Sequence, residues 1–128
     1  VLAHLLMPAN GVSAIARSAD GQVVGIARLT AAGATLAAEL TVMVRDDHQR
    51  GGLGKELVRY VAHAGLDSGC VEFTAIGSAD NRALVGLLRS LGLRDYARVA
   101  DGLLTIRAPI GVITEAEELD DRLVEAAA

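Results

Sequence analysis

Apolar and polar positions follow a two-residue period near the start of the chain and a helical period in its middle. Val12 to Arg17 reads V-S-A-I-A-R and Gln22 to Leu29 reads Q-V-V-G-I-A-R-L, both strand-like, with an Asp-Gly turn at Asp20-Gly21 between them. A third strand, from about Thr35 to Val44, is apolar on both faces, which predicts a central place in a sheet. From Gly52 to about Leu66 the period changes: Leu53, Leu57, Val58, Val61 and Ala64 make one helical face and Asp67-Ser68-Gly69 ends it. Cys70 to Ile76 reads as a buried strand. A second helix begins near Ala79-Asp80-Asn81, with Asp80 as the expected N-cap, and stops at Gly92. Tyr96–Ala100 and Leu103–Ala108 flank Asp101-Gly102 as a closing hairpin.

The order ββ–β–α–β–α–ββ predicts a mixed α+β domain with a mostly antiparallel sheet, two main helices and one parallel crossover. The opening meander argues against a doubly wound nucleotide fold. At 128 residues the chain is expected to be one domain, 1–128, with a core over about 12–109 and an acidic tail over 114–128. Aromatic residues are only 2% of a chain that is 52% hydrophobic, so Leu, Val, Ile and Ala must build the core. Glu115 to Glu125 carries six acids against Arg122 alone, which outweighs the whole chain's net charge of −4. The rest lies near neutrality, which speaks against nucleic acid as a partner. No apolar run reaches the roughly 18–20 residues that cross a bilayer, and Leu2 to Pro8 lacks the flanks of a secretory signal. A membrane partner is not expected. The single cysteine, Cys70, reads as a small core residue and fits a reducing, cytoplasmic setting.

The chemistry concentrates in Val42 to Lys55, V-M-V-R-D-D-H-Q-R-G-G-L-G-K, where a strand passes through a glycine-rich turn into a helix. Glycines let backbone approach a ligand, and unpaired amides at a helix N-terminus favour an anion, commonly a phosphate. A magnesium-nucleotide P-loop fails here, because Gln49 replaces its first glycine and Glu56 its hydroxyl. A dinucleotide fingerprint starting at Gly52-Leu53-Gly54 lacks its third glycine, which is Leu57, although Glu72 stands where a ribose-binding acid is expected. A turn that only closes a strand–helix corner is the remaining structural reading. His4, His48 and His63 show no ligand spacing, so no metal is expected.

The stretch resembles motif A of the GNAT superfamily of acyl-CoA-dependent N-acetyltransferases, in which a strand ending in valine precedes [RQ]-x-x-G-x-[GA]. Here that is Val44, the spacer Arg45 to His48, then Gln49-Arg50-Gly51-Gly52-Leu53-Gly54. Asn81-Arg82-Ala83-Leu84 with Leu87-Leu88 and Gly92-Leu93 is similar to the family's N-x-x-A-x-x-[LF]-Y-x-x-x-G-F helix. The two motifs and their strands cover roughly Ser13 to Ala108.

The resemblance implies a GNAT-like fold that opens between two parallel strands, with acetyl-CoA as co-substrate. Amides from Arg50 through Gly51, Gly52, Leu53 and Gly54 to Lys55, preceded by Gln49, would hold the pyrophosphate. Met43 and Val44 would pair with the pantetheine arm, Asn81 would bind that arm, and Leu88 would line the same site. Glu39, alone in the apolar run A-A-E-L-T-V-M-V, reads as a buried carboxylate and hence as general base. Some bacterial protein-lysine acetyltransferases show a similar A-E-x-x-x-x-V…Q-x-x-G-x-G run. The plainer reading of Glu39 is a strand-edge carboxylate paired with an arginine. Leu88 occupies the position of the family's acidic tyrosine, and Tyr60 and Tyr96 do not match it. Water as the acid, or a non-catalytic acyl-CoA-binding module, follows from that departure. The family's two N-terminal helices are short or absent in this sequence. Selection of the acceptor, a small-molecule amine or a protein lysine, is then left to a segment outside this chain, a homodimer partner or a neighbouring domain.

Overall fold

The computed structural model describes residues 2–6, 11–31, 37–45, 47 and 52–114. The elements follow the expected order with one addition: β1 (Leu2–Leu6), β2 (Gly11–Arg17), β3 (Val23–Ala31), β4 (Ala37–Val44), α1 (Leu53–Asp67), β5 (Glu72–Ser78), α2 (Arg82–Ser90), β6 (Ala97–Ala100) and β7 (Leu103–Pro109). A 3-10 turn over Arg94–Tyr96 leads into β6. The seven strands form one sheet in the order β1-β2-β3-β4-β5-β7-β6, antiparallel everywhere except between β4 and β5. β4 takes the central place that the sequence predicts.

β1 lies ahead of the expected core and pairs antiparallel with β2 from Leu2↔Arg17 to Leu6↔Ser13. The acidic segment from Glu115 lies outside the described residues, which end in a helical turn at 111–114.

Both helices pack on one face of the sheet. α1 turns Leu57, Val58 and Val61 into the core, each 1% exposed, and burial of such side chains contributes about 1.5–3 kcal/mol apiece. Two glycines allow this close approach. A Cβ at Gly25 of β3 would come within 2.9 Å of Leu57 Cδ1, and one at Gly65 of α1 would collide with Leu29 of β3. Register then assigns the faces of β4. Leu40, Val42 and Val44 lie opposite Leu29, Ala27 and Gly25 and share the helix side. Glu39, Thr41 and Met43 lie opposite Thr30, Arg28 and Ile26 on the other side, which no helix covers among the described residues.

The strand junction at the middle of the sheet is short. Among the described residues three pairs join β4 and β5: Ala37↔Glu72, Ala38↔Phe73 and Glu39↔Thr74. Beyond them β4 continues along β3 to Val44, while β5 continues along β7 to Ser78, and the two no longer pair with each other. On its helix side this part of β5 offers only Ala75 and Gly77, and a Cβ at Gly77 would collide with Leu84 of α2. Small residues bring α2 down onto β5, and the sheet opens beside it.

Candidate functional site

The opening continues into a cleft of about 1030 Å³ between β4, β5, the N-terminal half of α1 and the length of α2. Its outer part is polar and backbone-rich, with Gly52, Gly54, Lys55, Asp80, Asn81 and Arg82. Its inner part is apolar.

Gly52 caps α1 at φ 80°, ψ 3°, a left-handed conformation that side-chain-bearing residues rarely adopt, and no side chain caps the helix. Amides of a first helical turn have no intrahelical acceptor, so those of α1 face the cleft mouth with the positive end of the helix dipole behind them. At Gly54 a Cβ would make ordinary contacts of 3.6 Å with Val44 and Leu87. Glycine there is therefore not demanded by packing. Leu53 is half-buried and packs toward Gly25. Of the expected phosphate-binding residues, Gly52, Leu53, Gly54 and Lys55 are brought together here. Gln49, Arg50 and Gly51 lie outside the described residues.

Met43 and Val44 end β4 at the same mouth, Met43 on the open face at 64% exposure and Val44 half-buried toward α1. Just beyond them, Arg45 donates from Nη1 to Gln22 Oε1 at 2.8 Å and from Nη2 to Asp47 Oδ2 at 2.9 Å. Its amide donates to Val24 O at 2.9 Å. The start of the glycine-rich loop is thus tied to the β2–β3 turn by a residue that the sequence presents only as spacer.

α2 corrects one expectation. Its N-cap is Asn81, not Asp80: Asn81 Oδ1 accepts from the Leu84 amide at 3.1 Å. Asp80 stands one residue early, in the turn, where its amide donates to Ser78 Oγ at 3.2 Å. Capping uses the carbonyl end of Asn81 and leaves its NH2 for other acceptors at the cleft. Leu88 is buried at 7% exposure and lines the cleft floor. Lining residues that went unread in the sequence include Ala75 on β5 and Gly86 on α2. Gly86 had a signal. It sits in mid-helix, and a Cβ there would meet nothing within 4 Å. Neither a turn nor packing asks for glycine.

Glu39 is the second correction. It is exposed, not buried, because strand alternation puts it on the helix-free face with Thr41 and Met43. What sets it apart is position. It belongs to the last β4–β5 pair before the strands separate, beside Thr30 on β3 and Thr74 on β5. The nearest arginine in that cross-strand row, Arg107 opposite Thr74, bonds Glu72 instead. That hydrogen bond and the Glu72 charge raise the pKa of Arg107. Among the described residues no side chain pairs with Glu39.

The arrangement suits an extended, anion-headed ligand. Uncapped amides and Lys55 meet the head, and the separated β4 and β5 edges receive an arm much as a sheet edge receives an added strand. The separation of the two edges begins directly after the Glu39–Thr74 pair. Among the described residues no group of three or more His, Cys, Asp or Glu side chains is placed to hold a metal. None of their helices is long and apolar enough to cross a membrane.

Comparison with known proteins agrees with this geometry. The acetyltransferase (GNAT) family profile matches residues 3–93. Among solved structures, one assigned as an acyl-CoA N-acyltransferase from Klebsiella pneumoniae superimposes with a TM-score of 0.70 at 18% identity, covering 82% of this chain and 76% of that one. A cAMP-binding acyltransferase from Mycobacterium smegmatis gives 0.67 at 25% identity, over 89% of this chain and only 36% of that one. A ribosomal-protein-alanine N-acetyltransferase from Brucella melitensis gives 0.63 at 24%, over 77% and 68%. No curated protein matches the chain. A family profile spanning both motifs, on a sheet that opens where the first motif begins, makes the chain a member of the GNAT acetyltransferase family.

Proposed function

We propose that this chain transfers an acetyl group from acetyl-CoA to a primary amine by direct attack, with Glu39 as base. The observation that carries the reading is the separation of β4 from β5, which starts immediately after Glu39 and runs to the N-terminus of α1. Gly52 to Lys55, with Gln49, Arg50 and Gly51 before them, hold the pyrophosphate. Met43 and Val44 offer backbone to the pantetheine arm, Asn81 gives it an amide donor, and Leu88 lines its floor. Glu39 takes the proton from the incoming ammonium. The amine nitrogen then bonds to the thioester carbonyl carbon, the C–S bond breaks, the nitrogen gives up its second proton to water, and the leaving thiolate takes a proton from water. No tyrosine is needed for that last step, because a thiolate is a good leaving group near neutral pH.

Exposure of Glu39 on an uncovered face supports an amine carried on a larger body, a protein lysine among them, as well as a small amine. The free, half-buried Cys70 supports a reducing, cytoplasmic setting. The acceptor wall is supplied by another segment or by a second copy in a homodimer, and the catalytic unit is one GNAT domain.

Replacing Glu39 with Gln should lower the rate about 100-fold or more while acetyl-CoA affinity stays within about twofold. Release of free thiol, followed with a panel of amines, measures this, and an unchanged rate would remove Glu39 from the mechanism. The buried Leu88 in the tyrosine position favours a second reading, a non-catalytic acyl-CoA-binding module. Tight binding with no turnover on any amine would select it.

A further inference from the structure

The helix-free face of the sheet holds two opposite charges that stand close and do not meet. Around Glu39 it carries Arg28 on β3 and Arg107 on β7, one to each side. Arg107 bonds Glu72. Arg28 stands opposite Thr41, two residues along β3 from the Thr30 that faces Glu39. It is therefore the diagonal neighbour of Glu39, at a separation of roughly 7–8 Å. Its Nε donates to Ser13 Oγ at 3.3 Å, on β2 and so on the side away from Glu39. Ser13 is 5% exposed, which makes the anchor a buried hydroxyl. That bond uses one N–H of the guanidinium, and among the described residues no carboxylate pairs with the others.

An exposed arginine and glutamate gain little by closing on each other, because water screens both. Held apart on an uncovered face, they can take the two ends of one molecule. Glu39 attracts an ammonium, and a guanidinium offers a carboxylate a planar fork that can bond it twice. Thr41, exposed between them, bears only a short side chain. Resting on the reading that Glu39 receives the acceptor amine, we infer that the acceptor is an amino carboxylate, whose carboxylate, a few bonds from the amine, sits on the guanidinium of Arg28. That carboxylate belongs to a free amino acid or to an acidic side chain beside a lysine. Arg28 selects the acceptor and moves no proton.

Thiol release from acetyl-CoA tests this with free amino acids, each beside its carboxamide, and with lysine peptides carrying Glu or Gln next to the lysine. In one of the two series the carboxylate member should have a kcat/KM about tenfold higher, and the series that shows it names the source. Arg28→Gln should remove the preference by raising KM for the carboxylate member, while its kcat, the rate on the amide and acetyl-CoA affinity stay within about twofold. Arg28→Lys, which keeps the charge without the fork, should recover part of the preference. Thermal melting verifies that the variants fold, and the wild-type comparison stands without them. Equal rates on acids and amides in both series, or a preference that survives in Arg28→Gln, overturn this inference alone and leave the transferase reading standing. Failure of every amine to release thiol overturns both.

Discussion

Asn81 has two polar ends with separate tasks, and chemistry can separate them. Its Oδ1 caps α2 through the Leu84 amide, a contact that Asp makes equally well. Its NH2 belongs, on the proposed reading, to the pantetheine arm. Asn81→Asp should therefore melt within about half a kcal/mol of wild type yet bind acetyl-CoA about tenfold more weakly, the loss of one well-placed hydrogen bond. Asn81→Ala should lose about 1 kcal/mol of stability as well. Equal affinity for the wild type and the Asp variant, by titration calorimetry, would release Asn81 from ligand binding. Gly86 makes the opposite wager. In a helix interior glycine costs about 1 kcal/mol relative to alanine, and nothing packs where its Cβ would be. Gly86→Ala should raise the melting temperature by roughly 3–6 °C and weaken CoA binding several-fold, because the new methyl projects into the cleft. A stabilised variant with unchanged affinity would mean that the ligand passes elsewhere.

Elements carry the proposed phosphate cradle, and at this scale the sequence could be read well in some places and not in others. The helical period of α1, the two Asp-Gly hairpins and the central strand all depend on local pattern, and each formed where that pattern lies. β1 does not: L-A-H-L-L has no alternation, and it becomes a strand through its pairing with β2. Asp80 and Asn81 are both good caps, and the turn bond to Ser78 decides between them. The apolar run around Glu39 suggested burial because a central strand is covered on both faces. Both helices chose the same face, a tertiary outcome that no strand period encodes. Glycine at the start of α1 was readable in kind but not in conformation. With φ at 80°, Gly52→Ala should cost about 1–2 kcal/mol. The turn that aims the α1 amides should shift with it. Loss of CoA affinity beyond the loss of stability is the expected result, measured by binding at a temperature where both proteins are folded. Affinity equal to wild type would leave Gly52 a purely structural cap.

At the scale of the molecule, the sheet consists of two halves held by a narrow seam. β1 to β4 with α1 form one half, and β5 to β7 with α2 form the other, joined across the sheet, among the described residues, by three parallel pairs. The backbone edges from Leu40 to Val44 and from Ala75 to Ser78 diverge beyond the seam. A ligand lying between them would complete each ladder at once and tie the halves together, so binding free energy should appear as folding stability. At 100 times its dissociation constant an acyl-CoA should add about 2.7 kcal/mol, which for a domain of this size is roughly 10 °C in melting temperature. The gain should also have a location. Amide hydrogen exchange should slow most in Leu40–Val44 and Ala75–Ser78, and in the first turn of α1, with little change in β1 or β6. Protection spread evenly over the sheet would point to general stabilisation with no strand-like arm in the seam. Protection confined to α1 would mean that the phosphate cradle is occupied while the separated strands stay open.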